Sequence, residues 1–187
     1  MTEGLRVIDH RRHTMRAKPG EHLSQPGVDL ARRVGAGEFG PVPRYQRVVT
    51  SPAPRAFETA IAMGFAVDAQ ADFLWLGDAS ADVPWPFDPG AVPEIVRTRP
   101  RLAGFTAVLA RELLAIAAGL PDGGAALLVS HGGLVELSAA VLLPDADHRS
   151  WGPPIGYAEG IRLIFEGGRC TGAEPLRVAP ADYFVEN

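Results

Sequence analysis

No disulfide can form within this chain, because its 187 residues include a single cysteine, Cys170. The fold has to rest on packing, and a reducing compartment suits it. No apolar run approaches the roughly 20 residues that a membrane helix requires. The longest, Leu113–Ala118 and Val135–Leu143, fall far short, and the N-terminus lacks the apolar centre of a signal peptide. The expectation is a cytoplasmic location with no membrane partner. Basic residues are not in excess either: the formal net charge is -4, so the molecule as a whole has no electrostatic reason to seek nucleic acid. His10 and His22 stand near His13, but their spacing matches no zinc pattern and no cysteine pair supports one. Neither a metal nor any other cofactor is expected. Internal repeats and low-complexity tracts are absent, and nothing in the sequence sets an oligomeric state.

What is present fits a single domain over residues 1–187, with 47% hydrophobic and 21% charged residues. Leu5–Ile8 reads as a short buried strand with a polar tail, Asp9-His10-Arg11. Ser24 is placed to cap a helix running to about Val34, with Pro26 in the first turn and Gly35 and Gly37 ending it. Arg47–Thr50 predicts a second strand, Ser51 a cap for the helix after it, and Pro52 and Pro54 its first turn. Phe65–Val67 predicts a third strand. From about Asp68 to Pro93 no period is sustained. Trp75, Trp85, Phe87 and several prolines there predict an ordered loop, part of an insertion at about 68–100 over the pocket. A helix over Arg101–Gly119, a central parallel strand over Ala125–Ser130 and a helix over Leu134–Leu143 follow. Ile161–Phe165 and Cys170–Val178, joined by Gly167-Gly168, predict a terminal hairpin. Strands alternating with helices predict an α/β fold.

Three of these strands run straight into arginine or histidine. Arg12-His13 follows the first, Arg55 lies in Ser51-Pro52-Ala53-Pro54-Arg55 after the second, and His131 follows Ala125–Ser130. In an open α/β sheet the carboxyl ends of neighbouring parallel strands face one crevice, so these groups can form a single pocket. Two guanidinium groups and two imidazoles suit a phosphate: arginine presents a rigid donor fork, and imidazole can act as nucleophile or proton donor near neutral pH. Arg55 falls on the opening turn of its helix, whose partial positive charge reinforces anion binding. The basic stretch that includes Arg11, Arg16, Lys18 and His22 would steer a small phosphorylated substrate.

On these blocks the chain resembles the histidine phosphatase superfamily, the phosphoglycerate mutase-like or R-H-G family. Arg12-His13-Thr14 stands where that family has R-H-G, Ser51 to Ala60 matches S-P-x-x-R-A-x-x-T-A, and Ser130-His131-Gly132 matches its second histidine. Leu23-Ser24-Gln25-Pro26-Gly27 matches a helix start of the family. The resemblance runs from Val7 to about Leu142 and is poor from Ala71 to Pro100. It implies a three-layer α/β/α sandwich with a mainly parallel central sheet, and a phosphohydrolase working through a phosphohistidine on His13. Arg12 and Arg55 would clamp the phosphoryl oxygens, His131 would supply a further donor, and Arg16 stands where acid-phosphatase-like members carry another phosphate-binding arginine. The family's proton-donating carboxylate is missing from both its usual places: Leu74-Trp75-Leu76 holds none, and Gly132 follows His131. Asp78 is the first substitute, because Gly77 lets the backbone turn, with Asp82 and Asp72 behind it. A phosphoglycerate-type mutase and a non-catalytic phospho-ligand-binding protein are the alternatives.

Overall fold

The computed structural model describes residues 4–83 and 88–185, so Trp85 and Phe87 of the predicted loop lie outside the described residues. In chain order its elements are β1 (Arg6–Arg12), α1 (Gln25–Gly35), β2 (Tyr45–Thr50), α2 (Pro54–Ala62), β3 (Ala69–Gln70), α3 (Val92–Thr98), α4 (Pro100–Gly119), β4 (Ala125–Ser130), α5 (Leu134–Leu142), β5 (Gly160–Glu166) and β6 (Arg169–Leu176). The strands form one sheet in the order β3-β2-β4-β1-β5-β6. β3, β2, β4 and β1 run parallel, and the β5–β6 hairpin adds two antiparallel strands beside β1.

The central strand shows why there are three layers. β4 is buried along its whole length, and its side chains alternate between faces. Leu127 and Val129 join a core with Leu30, Ala31 and Val34 of α1 and Ala56 and Ala60 of α2. Ala126 and Leu128 join the opposite core with Leu109 and Leu113 of α4 and Leu134 and Leu137 of α5. Each helix offers a stripe at three- and four-residue spacing, such as Leu102, Thr106, Leu109, Leu113 and Ala117 along α4. Truncating one of these leucines to alanine would cost about 2–5 kcal/mol. α4 is the one helix among the described residues long and apolar enough to cross a membrane, which the shorter apolar runs of the sequence did not suggest. Here its buried stripe packs on the sheet.

Several boundaries differ from the sequence expectation. β1 does not stop at Ile8: the polar tail continues the strand to Arg12, and Asp9, His10, Arg11 and Arg12 are all buried. They are tolerated because partners wait for them. Asp9 accepts from Arg162 Nε and Nη2 at 2.7 and 2.8 Å and from the Tyr45 hydroxyl at 2.6 Å. The third strand lies at Ala69–Gln70 rather than Phe65–Val67, because pairing with β2 begins where Asp68 bonds both backbone groups of Val48. Phe65 instead packs edge-on against Tyr45. Ser51 does not cap α2; the N-cap is Ala53, and the serine hydroxyl is held by a histidine described below. Ser24 does cap α1, accepting from Gly27 N at 3.2 Å. Between β3 and α4, the expected loop contains tight 3-10 turns at Asp72–Leu74 and Gly77–Asp82 and the helix α3.

Candidate active site

β1, β4 and β2 are neighbours, and their carboxyl ends finish level. Arg12 pairs with Ser130, Thr50 pairs with Val129, and backbone bonds continue one step further, from His13 N to Ser130 O at 2.8 Å and from Ser51 N to Val129 O at 2.9 Å. The three turns that follow therefore open on one crevice. A cavity of about 240 Å³ sits there, lined by Arg12, His13, Arg16, Arg55 and His131 among others. The sequence-predicted arginines and histidines thus meet in one place.

His13 is fixed at both ring nitrogens. Its Nδ1 donates to the Thr14 carbonyl at 2.7 Å, and its Nε2 accepts from Arg55 Nε at 3.2 Å. Nε2 is consequently the unprotonated nitrogen, and in the empty pocket its lone pair is held by Arg55 Nε at the cavity. Burial holds the His13 pKa well below the ordinary value, with His131 and the two guanidinium groups pushing the same way and the Thr14 carbonyl opposing. Thr14 itself is tied to α2, its N donating to Thr59 Oγ1 at 3.0 Å while the Thr59 hydroxyl donates to Arg55 O at 2.7 Å. One threonine so links the His13 turn to the turn that carries Arg55.

His131 lies with its ring centroid 5.2 Å from that of His13. Its Nε2 and the Ser51 hydroxyl are 2.9 Å apart, and its Nδ1 is 3.5 Å from Arg55 Nη2. Burial, then Arg55 and Arg12, lower its pKa to about 3, so it is neutral in the empty pocket. His10 lies behind it, outside the cavity lining. Ser138 gives its proton to Val135 O, so His10 Nδ1–H donates to Ser138 Oγ and His10 Nε2 accepts from the Ser130 hydroxyl at 2.6 Å. Burial lowers the His10 pKa to about 3 as well. The turn after β4 is closed by Gly133 at φ 81°, a conformation that favours glycine, and by the buried Glu136, which accepts from Gly133 N at 2.9 Å and Ile155 N at 2.8 Å. Burial raises the Glu136 pKa.

Arg12 is almost wholly buried and is held from below. Nη1 donates to Ile155 O at 3.1 Å and to Val185 O at 3.0 Å, and the guanidinium lies 4.1 Å from the Tyr157 ring centroid. The C-terminal segment that brings Val185 here is pinned by Tyr157 N to Phe184 O at 2.8 Å, Tyr183 hydroxyl to Pro154 O at 2.9 Å, and Asp182 paired with Arg33. Ala158, at φ 61°, holds a backbone conformation rare outside glycine beside this segment, and its carbonyl accepts from Arg11.

The rim is of another kind. Trp75, 43% exposed, stands edge-to-face to His131 at 4.8 Å between centroids, and its ring centre is 5.5 Å from the Arg55 guanidinium carbon. Leu76, Gly77 and Ser80 complete that wall. Asp78, Asp72 and Asp82 do not line the cavity. In a 3-10 turn, residues three apart eclipse. Gly77 and Ser80 accordingly share the cavity side, Ala79 faces the core, and Asp78 is left in solvent. Glu21 is a lining residue that the sequence did not single out; its carboxylate bonds Arg55 Nη1 and lies 3.7 Å from Arg16.

No protein-family model and no curated protein matches the chain by sequence. Solved structures do match in shape. A phosphoglycerate mutase from Bacillus anthracis superposes with a TM-score of 0.62 over 90% of this chain and 92% of that one, at 17% identity. The fold is that of phosphoglycerate mutase. A mycobacterial glucosyl-3-phosphoglycerate phosphatase shares it, with a TM-score of 0.61, 22% identity, and 91% and 97% of the two chains covered. So does a phosphoserine phosphatase from Entamoeba histolytica, solved with 3-phosphoglyceric acid, at 0.59 and 14% identity over 89% and 98%. On the phosphoglycerate mutase fold of this chain, the parts that sequence reasoning missed are Tyr157 under Arg12, Thr59 as a bracket, and Glu21 at the rim. Only Thr59 had a signal, its place one helical turn after Arg55.

Proposed function

We propose that this protein is a phosphohydrolase of the histidine phosphatase superfamily, which removes a phosphoryl group from a small phosphorylated substrate through a phosphohistidine on His13. The observation that carries this reading is the tautomer of His13: with Nδ1–H on the Thr14 carbonyl, Nε2 is the nitrogen with the lone pair, held at the cavity by Arg55 Nε, which releases it when it turns to a phosphoryl oxygen. The sequence blocks that resemble the superfamily supply the cavity's arginines and histidines, and phosphatases and a mutase share the fold.

In the reaction, His13 Nε2 forms a bond to phosphorus as the bond to the leaving oxygen breaks, and that oxygen takes up a proton. Water then attacks the phosphohistidine, its proton passes to a base, and the electron pair of the P–N bond returns to Nε2. Charge spreads over the three non-bridging oxygens in such a transfer, so fixed cationic donors supply most of the catalysis. Arg12 is fixed by its carbonyl partners before any substrate arrives, and Arg55 reaches the same oxygens from the opening turn of α2. His131, neutral when the pocket is empty, gains a proton beside a phosphate dianion and becomes a further donor.

Turnover of an aryl phosphate, with an acid-labile phosphoenzyme trapped on rapid quenching, tests the proposal. His13→Ala should abolish both while circular dichroism stays unchanged. Labelling that persists in that variant would remove His13 from the role of nucleophile. Release of inorganic phosphate to water, rather than transfer to an added alcohol, separates a hydrolase from a mutase, and phosphate binding without any turnover would mark a binding protein.

A further inference from the structure

Glu21 carries the only carboxylate among the described residues that line the cavity. Its placement is built. Residues 16–23 fold back on themselves, with Arg16 bridged to Leu23 and Ala17 N donating to His22 O at 2.8 Å. The Arg16 guanidinium closes the turn through Gly20 O at 3.0 Å. Glu58 of α2 anchors its far side, taking Leu23 N at 2.8 Å and His22 Nδ1. Glu21 is thereby held above Arg55, one turn before Glu58 on α2, yet its side chain is 54% exposed and free to swing away. A carboxylate on Arg55 Nη1, with Arg16 3.7 Å away, sits as one edge of a phosphoryl group would.

We propose that Glu21 occupies the anion seat on Arg55 in the empty enzyme and, displaced from it by the substrate, donates the proton to the leaving oxygen. This rests on the phosphohydrolase reading and names the group that reading lacks. A phosphate dianion carries more charge than the carboxylate and takes Arg55 from it. The carboxyl group is then left next to an anion, and a like charge favours its neutral, protonated form. Substrate binding therefore converts a counter-ion into an acid at the mouth of the pocket, where the leaving group exits. The proton passes from Glu21 to the ester oxygen as that oxygen leaves phosphorus, giving a free alcohol. In the second half, the Glu21 carboxylate takes a proton from the water that attacks the phosphohistidine and is left as the neutral acid; as inorganic phosphate departs, that proton passes to solvent and the carboxylate returns to Arg55.

The two halves give opposite signs in Glu21→Gln, an exposed and nearly isosteric change. With the charge removed from the seat, inorganic phosphate should bind about three- to tenfold more tightly by calorimetry. Turnover of an alkyl phosphate should fall by about 10²–10⁴-fold, while nitrophenyl phosphate, whose leaving group needs little protonation, loses less than about tenfold. Glu21→Asp should recover part of the alkyl rate. Weaker phosphate binding in Glu21→Gln, or equal losses on the two esters, would overturn the proposal. Should the unsubstituted enzyme hydrolyse neither ester, the hydrolase reading falls and takes the proton-donor role with it, whereas the affinity measurement still decides whether Glu21 holds the seat.

Discussion

Arg12 and Arg55 reach the same cavity from contrasting surroundings. Arg12 rises from the floor, almost wholly buried, with carbonyl oxygens and an aromatic ring already around it. Arg55 stands at the rim, half-buried, and its partner is an exposed carboxylate that a substrate can replace. The histidines divide in the same way. Burial lowers the pKa of His10, His13 and His131 on the floor, whereas His22 at the rim is raised by its bond to Glu58. The floor is thus held in place before a ligand arrives and acts as a template. The rim is satisfied provisionally, and its bonds are exchanged for those of the substrate.

Acid should break the floor first. In the unfolded chain the three floor imidazoles take protons near pH 6.5, but in the fold His10 and His131 stay neutral down to about pH 3 and His13 is shifted the same way. Between those limits the unfolded chain binds more protons, so stability falls as the pH is lowered through that window. Each histidine contributes up to about 1.4 kcal/mol per pH unit. Urea midpoints measured from about pH 7 to about pH 4 check this, and a flat profile would mean that these rings are solvated. His22 works in the other direction, its contribution being lost as the pH rises through its raised pKa.

The next largest contrast is Arg12→Ala against Arg55→Ala. The first strands the buried carbonyl of Ile155 and the half-buried one of Val185 and opens a hole beneath the pocket, so it should cost about 2–4 kcal/mol of folding stability as well as activity. The second should weaken inorganic phosphate binding by about 1.5–3 kcal/mol and change stability by less than about 1 kcal/mol. Denaturation and calorimetry on the two variants would sharpen the division, and equal stability losses would erase it. The smallest effect belongs to Trp75→Ala. The loss of one exposed edge-to-face ring should raise the KM for an aryl phosphate about two- to fivefold, with stability nearly unchanged.

The floor was legible in the sequence, as were Arg16 and Arg55, but the rest of the rim was not. Strand-end arginines and histidines announce a shared crevice because parallel strands finish level, so Arg12, His13, Arg55 and His131 could be brought together without coordinates. Asp78 illustrates the opposite case. A glycine before it suggested a turn toward the pocket, but whether a side chain in a 3-10 turn faces in or out depends on a three-residue phase that an irregular segment does not reveal. Glu21 was hidden for a similar reason: its position depends on a turn closed by carbonyl bonds from Arg16 and anchored by Glu58, 37 residues away. The polar tail of β1 was visible, but its partners were not. Asp9 and His10 are buried against Arg162, Ser130 and Ser138, all distant in the chain.

The carbonyl of Val185 on Arg12 has a practical consequence for handling the protein. A bulky group attached shortly after Val185 would pull on an oxygen that anchors a floor arginine, and its drag is transmitted through Phe184 to Tyr157. Recombinant material carrying such a group could register as a sluggish or inert enzyme while being fully folded. A group attached on the Arg6 side of β1, at the other end of that strand from the crevice, is the arrangement under which a negative assay would carry meaning.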